Sequence, residues 1–319
     1  MNELRYFFSG NLTQSMMDML SETPGYEPID VLVSQLDRAS INKMMEFQDE
    51  GKVNKLFIDS GAYSVHTGKA TIDIDEYIDY LNSIDDRIAL CAQVDTIPGK
   101  FGKPKSKEDY QLSAQKSWEN YLYMRSKLKS PDKLIPVYHY GESLDALYNM
   151  LNYVDEDGKQ LSIIGLSPAN DTHQNLKNIY LKEMYDIIHA SKNPGVRTHL
   201  FGMTSVDALR QFPCYSADSI SHRLQAAYGK ILHPKFGVVS VSKRTRSTKV
   251  KSNMSFLEVA DKDSLKELED YINNLGLTMD QIADDPSARV VVCMYGIMQI
   301  VKDINKNGLT KPKRSKRLF

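Results

Sequence analysis

Short runs of apolar residues recur along the first two thirds of the chain, and each run ends in polar or small residues. Eight of them predict strands, at residues 5–10, 29–34, 56–59, 88–94, 134–141, 161–167, 198–204 and 215–219. Most positions within a run are apolar, without a strict polar alternation. That pattern is typical of parallel strands that are covered on both faces.

Stretches with helical spacing lie between these strands, at residues 40–50, 73–84, 106–129, 143–153, 175–190 and 206–212. The alternation predicts an α/β protein with a (β/α)₈ barrel of the TIM type. A doubly wound open sheet is the second interpretation. It would be expected to carry a glycine-rich nucleotide-binding turn, and neither GxGxxG nor GxxxxGK[ST] occurs in the sequence. The loop at 98–104, rich in glycine, proline and lysine, is predicted to be exposed and mobile.

The character of the chain changes after about residue 235. A further strand is predicted at 236–242 and helices at 264–275 and 288–304. We therefore expect a barrel domain over residues 1–235 and a C-terminal extension over 236–319 that packs on it. The extension carries basic segments and no zinc subdomain.

Three carboxylates stand at the ends of predicted strands. Asp59, Asp95 and Asp218 each follow an apolar run. A buried carboxylate without a partner is costly, so these groups need water, a partner or a substrate. Because the C-terminal ends of barrel strands share one face, the pattern predicts a single acidic active site. Taken one at a time, each aspartate is more often a helix cap or turn residue than a catalytic group.

The composition restricts the class of protein. Of 319 residues, 41% are hydrophobic and 25% charged, as in ordinary globular proteins. No run of about eighteen apolar residues predicts a membrane span, and the first residues lack the blocks of a signal peptide. Cys91, Cys214 and Cys293 lie far apart without a CxxC pair, which suits a reducing cytoplasm and excludes a thiolate zinc site.

Positive charge gathers late in the chain, although the net charge is only −1. Residues 243–251 hold five basic side chains and no acid, and a second basic stretch covers 311–317. Charge runs of this kind are either solvated surface or contacts to phosphate. Contacts to phosphate would make binding depend on salt and would read no base sequence.

Six strand-end motifs, taken in order, resemble the tRNA-guanine transglycosylase superfamily. They are IDSGAY at 58–63, QVD at 93–95, VYHYG at 137–141, IGLS at 164–167, HLFGM at 199–203, and SADS at 216–219 followed by Arg223. Within the superfamily they are similar to the DNA-modifying branch that inserts 7-deazaguanine bases, the DpdA-type proteins of bacteria and phages. The resemblance covers residues 55–225.

The resemblance implies exchange of guanine in DNA for a free 7-deazaguanine base such as preQ0, by double displacement through a covalent intermediate between aspartate and nucleic acid. Asp218 would be the nucleophile, Asp59 the general acid/base, and Asp95 a ligand of the base edge. The other residues expected to bind the base are Ser60, Gly61, Tyr63, His139, Gly165, Leu166 and Met203. Those expected to contact the nucleic-acid backbone are Arg223, Lys243, Arg244, Arg246, Lys249 and Lys251. The resemblance implies no cofactor and no metal, and it places the reaction in the cytoplasm, or in the host cytoplasm for a phage protein.

The chain departs from the family pattern at three points. Ala62 replaces the second glycine of the first motif, and His139 replaces a glutamine. The clustered cysteines of the tRNA enzymes are missing, since Cys293 is alone in its region. This absence favours DNA over tRNA as the substrate.

Several alternatives remain open at this point. The same exchange on tRNA is the first, a non-catalytic nucleic-acid-binding barrel the second, and a glycoside hydrolase with an acid pair the third. For single residues, Tyr63 is either a stacking platform for an extruded base or a packed core aromatic. His199 is read as a hydrogen-bonded interior residue rather than a ligand.

Overall fold

The computed structural model describes residues 3–168, 173–203, 205–242 and 255–309. Nine parallel strands form one barrel-shaped sheet. They are β1 (Arg5–Ser9), β2 (Ile29–Ser34), β3 (Val53–Asp59), β4 (Ile88–Ala92), β5 (Leu134–Ile135), β6 (Val137–His139), β7 (Ile163–Ser167), β8 (Arg197–Leu200) and β9 (Ser216–Ser219). Their order is β5-β4-β3-β2-β1-β9-β8-β7-β6. The prediction of a parallel, barrel-like α/β fold is confirmed.

The ninth strand arises because Pro136 splits the predicted strand at 134–141. β5 pairs with β4, and β6 pairs with β7, so the two ends of the sheet are adjacent in the chain. Proline has no N–H to give to a ladder. The carbonyl before the proline and the carbonyl of the proline itself accept hydrogen bonds from different sides of the sheet. Ile135 O accepts from Gln93 N at 3.2 Å, and Pro136 O accepts from Gly165 N at 2.7 Å. The sheet therefore has eight strand positions, one of them in two pieces.

Helices connect the strands on the outside. They are α1 (Gln14–Ser21), α2 (Arg38–Asp49), α3 (Ala62–His66), α4 (Ile74–Ser83), α5 (Lys107–Lys127), α6 (Leu144–Asn152), α7 (Gln174–Ala190), α8 (Val206–Gln211) and α9 (Ser221–Ala227). The helices α1, α3 and α9 were not predicted from the sequence. Each is short, and neither α3 nor α9 has a side-chain cap at its N-terminus, so the usual start signal is missing for both.

Two apolar cores follow from the alternation of side chains along the strands. Phe7 and Phe57 point into the barrel, where their rings meet at 5.5 Å as part of an inner core. Their neighbours Phe8 and Ile58 point outward to the helices, in an outer core. The inner core fills the barrel, so a ligand can enter only at its ends.

The C-terminal part packs on the barrel. It contains β10 (Lys230–His233), β11 (Gly237–Ser240), α10 (Phe256–Val259), α11 (Lys262–Asn274), α12 (Met279–Asp284) and α13 (Pro286–Asn307). β10 and β11 form an antiparallel hairpin, so the expected boundary between 235 and 236 lies within its turn. α13 packs against α1, α9 and β10, and the Asn305 amide bonds the backbone of Leu4 at 2.8 and 3.0 Å. None of the helices in the described ranges has the length and apolar character needed to span a membrane.

Candidate active site

Asp59, Asp95 and Asp218 meet at the C-terminal ends of the barrel strands, here called the mouth. Asp59 ends β3, Asp95 follows β4, and Asp218 lies on β9. Burial and the negative charges of Asp95 and Asp218 raise the pKa of Asp59 to about 7, against the opposing effect of the Gly61 and Ser60 N–H groups. The expected convergence of the three acids is therefore present. At neutral pH, Asp59 exists in both protonation states.

Three donors orient the Asp218 carboxylate. The hydroxyl of Ser9 donates to Oδ2 at 2.6 Å, and the N–H of Gly202 donates to Oδ1 at 2.9 Å. His199 Nε2 lies 3.3 Å from Oδ1. Ser9 ends β1, the strand next to β9, so closure of the barrel brings the hydroxyl to the carboxylate. Sequence analysis missed Ser9 and Gly202, although Ser9 is also a polar residue at a strand end.

His199 is a positioning residue beneath Asp218. Its side chain is fully buried, and Nδ1 lies 2.8 Å from Ser216 Oγ. The rings of Phe57 and Phe201 contact it edge to face, with centroids 4.9 and 4.4 Å away. The interpretation as a hydrogen-bonded interior residue is confirmed, and its bond to Asp218 ties it to the site.

A chain of three ionisable side chains forms the opposite side of the mouth. His139 Nε2 lies 2.7 Å from Asp95 Oδ2, and Nδ1 lies 3.0 Å from Glu142 Oε1. The second oxygen of Glu142 accepts the His139 backbone N–H at 3.1 Å. Glu142 is buried and was not singled out from the sequence. Its signal was the spacing of three residues from His139 across the turn at Gly141.

His139 is a cation at neutral pH. Burial alone would lower its pKa, but the hydrogen bonds and charges of Asp95 and Glu142 outweigh burial and raise it to about 10. Both ring N–H groups then donate to carboxylates. His139 thus holds Asp95 in place, and a contact of His139 with a base stays a prediction. Neither ring nitrogen is free for a metal, and no group of metal-binding side chains is found in the described ranges.

Asp95 retains capacity for a ligand. Its Oδ1 accepts only a long hydrogen bond, 3.3 Å, from the Ser60 hydroxyl. Ser60 is buried, and its hydroxyl oxygen accepts a hydrogen bond from the N–H of Ala62 at 3.3 Å. Asp95 and Ser60 thus lie together at the mouth, as predicted for base-binding residues.

Gly61 and Tyr63 shape the turn after β3. Gly61 has φ +83°, and a Cβ there would lie 2.6 Å from Leu36 Cδ1, so the turn requires glycine. Its N–H donates to Asp59 Oδ2 at 2.9 Å. Tyr63 follows on α3 and is 58% exposed, which contradicts a packed core aromatic. Its role as a stacking platform stays a prediction.

Three other predicted base ligands do not present side chains at the mouth. Gly165 lies inside the barrel, where a Cβ would be 2.5 Å from Phe201 Cε2, and its N–H is bonded to Pro136 O. Leu166 and Met203 are buried in the outer core. The structure therefore shows no exposed side chain of Leu166 or Met203 that a base could contact.

The predicted backbone contacts divide into two groups. Arg223 lies on α9 at the rim, where its Nη1 donates to Asn11 O at 2.8 Å above the end of β1. The others, Lys243, Arg244, Arg246, Lys249 and Lys251, lie outside the described residues, as does the basic stretch at 311–317.

Cavities of about 370 and 290 Å³ lie at the opposite end of the strands, here called the floor. Arg5 and Asp30 line the smaller one. There the Asp30 carboxylate accepts from Arg5 at 2.7 and 2.9 Å and from the Lys55 N–H at 3.1 Å. These groups satisfy one another, and barrel chemistry is found at the C-terminal face. We therefore assign the candidate active site to the mouth.

No family model matches the sequence, and no curated protein matches it significantly. The resemblance to the transglycosylase superfamily rests on the strand-end motifs, and the chemistry has to be argued from the mouth itself.

Proposed function

We propose that the protein is a transglycosylase that exchanges guanine in DNA for a 7-deazaguanine base of the preQ0 type. The observation that carries the proposal is the pairing of two different aspartates at one barrel mouth. Asp218 is fixed by the Ser9 hydroxyl and the Gly202 N–H, while Asp59 titrates near neutral pH beside it. A fixed carboxylate suits a nucleophile, and a group with a pKa of about 7 suits an acid/base.

In the first half of the reaction, protonated Asp59 gives its proton to the departing guanine. The bond between the sugar C1′ and the guanine nitrogen breaks as a bond from C1′ to an Asp218 oxygen forms. In the second half, ionised Asp59 takes a proton from the ring nitrogen of the incoming base. That nitrogen displaces Asp218 from C1′, which restores both carboxyl groups.

Asp95 is proposed to hold the base. Its Oδ1 is available to accept N–H donors of a guanine-like edge, while His139 fixes the other oxygen at 2.7 Å. We interpret the eight strand positions around the inner core as a (β/α)₈ barrel. In such barrels the active site lies at the C-terminal ends of the strands, where the three acids are found. We expect the reaction to take place in the cytoplasm, because both DNA and free base are present there.

The test is incorporation of radiolabelled 7-cyano-7-deazaguanine into duplex DNA and, separately, into tRNA. Wild type is compared with Asp218→Asn and with the floor variant Asp30→Asn as the matched control. We expect label in DNA with wild type and with folded Asp30→Asn, and none with Asp218→Asn. Label in tRNA alone would retain the chemistry and overturn DNA as substrate. Absence of label from both polymers would overturn the proposed function.

A further inference from the structure

The loop between β4 and α5 carries a concentration of positive charge beside an acidic mouth. Residues 97–105, here called the lysine loop, contain Lys100, Lys103 and Lys105. No acid occurs between Asp95 and Glu108. All three lysines are exposed, as predicted for this loop. Among the residues that the structure describes, no carboxylate forms an ion pair with them.

The loop is attached to the candidate active site at its start. It begins two residues after Asp95, and Thr96 is bonded to α5 through the side chains of Ser117 and Ser113. Lys105 lies against the ring of Tyr110, which packs on Gly141, the residue before Glu142. Lys105 therefore lies beside the chain of Asp95, His139 and Glu142, and the other two lysines lie on the same short loop.

The tip of the loop also reaches α3, the helix that follows Asp59. The ring of Phe101 meets that of His66 edge to face, with centroids 6.0 Å apart. Burial and the nearby positive charges of Lys105 and His139 lower the pKa of His66. His66 is therefore close to both the lysine loop and the candidate site. Phe101 is 61% exposed, and Tyr63 on the same α3 is 58% exposed. Two unshielded aromatic rings thus border the mouth.

A polyanion cannot approach this mouth without help. Asp59, Asp95, Glu142 and Asp218 repel phosphates, and the whole chain has a net charge of −1. Cations placed at the rim offset this repulsion locally. Proteins that hold unpaired nucleic acid combine such cations, which follow the backbone, with aromatic faces on which bases stack.

We propose that the lysine loop is the surface that holds the nucleic-acid strand next to the reacting nucleotide. Lys100, Lys103 and Lys105 neutralise its phosphates, and Phe101 stacks on an unpaired base. Identification of the strand as the substrate rests on the proposed function, whereas binding at this surface requires no catalysis. An acidic protein partner is the competing occupant that the test must exclude.

The probe is a fluorescein-labelled DNA duplex with one bulged guanine, titrated with the full-length protein at several salt concentrations. The loop variant is Lys100→Gln, Lys103→Gln, Lys105→Gln. The matched control removes the same charge at exposed lysines elsewhere, as Lys159→Gln, Lys182→Gln, Lys192→Gln. Circular dichroism checks that both variants are folded.

We expect the loop variant to bind about 10 to 100 times more weakly, with the slope of log affinity against log salt reduced by about 2 to 3. The control variant should stay within about twofold of wild type, because its lysines lie away from the mouth. Phe101→Ala should weaken binding about tenfold with the salt slope unchanged, and Phe101→Tyr should restore it. Equal losses in the loop and control variants, or no loss in either, would overturn the proposal.

Exchange activity separates this proposal from the proposed function. Wild type that binds the bulged duplex through the loop but incorporates no base would leave the surface standing and remove the transglycosylase. If wild type incorporates base and the loop variant has the same KM for DNA, the transglycosylase stands and the proposed lysine-loop surface is overturned. Binding of poly-glutamate through the loop in place of DNA would overturn the nucleic-acid surface.

Discussion

The floor and the mouth of the barrel both contain acids, but they treat charge differently. At the floor, Asp30 accepts from the Arg5 guanidinium at 2.7 and 2.9 Å and from a backbone N–H. At the mouth, Asp59, Asp95 and Asp218 face one another, and the charges of the other two help to raise the pKa of Asp59 to about 7. The floor acid and Asp95 each have a cationic partner, whereas Asp59 accepts backbone N–H groups and lies near two other acids.

This difference separates a structural carboxylate from a chemical one. A satisfied ion pair fixes the chain and has no capacity left for a ligand. Clustered carboxylates cost stability, and a perturbed pKa in an open cleft is a sign of a functional group. The two ends should therefore respond to substitution in opposite ways.

The largest effect is expected from Asp59→Asn. An amide neither donates nor accepts the proton at this position, so the exchange rate should fall by about 10³-fold. The free energy of unfolding at pH 8 should rise or stay level, because one repelling charge is removed. Single-turnover incorporation and urea unfolding measure the two quantities. A large loss of stability would show that Asp59 is a structural residue.

At the floor, Asp30→Ala should lower the free energy of unfolding by about 3–5 kcal/mol. The Arg5 guanidinium, 20% exposed, would lose its counter-charge. The folded fraction should keep its exchange rate. As a matched control, the double variant Arg5→Met, Asp30→Leu should recover most of the stability, because both charges are then absent. Failure of the double variant to do so would point to an additional role for the pair.

Glu142→Gln tests the chain that holds Asp95. Loss of one of its two counter-charges should lower the pKa of His139 by about one to two units, as nitrogen-15 NMR of the ring can measure. Exchange should slow about tenfold near neutral pH and more at higher pH, where His139 would lose its proton. Glu142→Asp, which keeps the charge, should retain more of the activity. An unchanged His139 titration would rule out the positioning role.

The smallest effect concerns stability and pH. The folded-state pKa of Asp59 is raised from about 4 to about 7, so the folded protein keeps a proton that the unfolded chain releases. Stability from this group is therefore lost as pH rises between these values, by about 1–2 kcal/mol after solvent screening. The unfolding free energy of Asp59→Asn should lack this component between pH 4 and 7. Parallel curves for wild type and variant would contradict the raised pKa.

His139 contributes a second component with a different range. Its folded-state pKa is raised from about 6.5 to about 10, so its stabilisation is complete below the lower value and is lost as pH rises through the upper one. His139→Gln should remove the loss between these limits. Denaturation of both proteins from pH 6 to 10 measures the difference.

The positions of the three acids were predictable because each acid comes at the end of an apolar run, and strand ends share a face in a parallel barrel. Leu166 shows where motifs mislead. Successive residues of a strand point to opposite sides, so Gly165 inside the barrel requires Leu166 outside it. The motif places the residue in order along the chain but does not give the direction of its side chain.

Glu142 was not singled out from the sequence, although it directly follows the predicted strand at 134–141. Its contact with His139 depends on the turn at Gly141, where φ is +93° and the ring of Tyr110 packs against the backbone. In the hairpin of β10 and β11, only β11 was predicted from the sequence, for a related reason. Its first strand, four residues long, follows α9 closely and pairs only with its neighbour. Short elements defined by their partners leave little local signal.

The proline at position 136 also has a consequence for how the barrel is built. It divides the sheet into two arcs, β1 to β5 and β6 to β9, and within each arc strands that follow one another in the chain are paired. The chain passes from the first arc to the second at Pro136. The arcs meet again only where β1 pairs with β9, through partners such as Arg5 and Ser216 that are far apart in sequence. That non-local pairing brings Ser9 to Asp218. The hydrogen bond from Ser9 to Asp218 therefore requires both arcs to be joined, because each arc carries only one of the two residues.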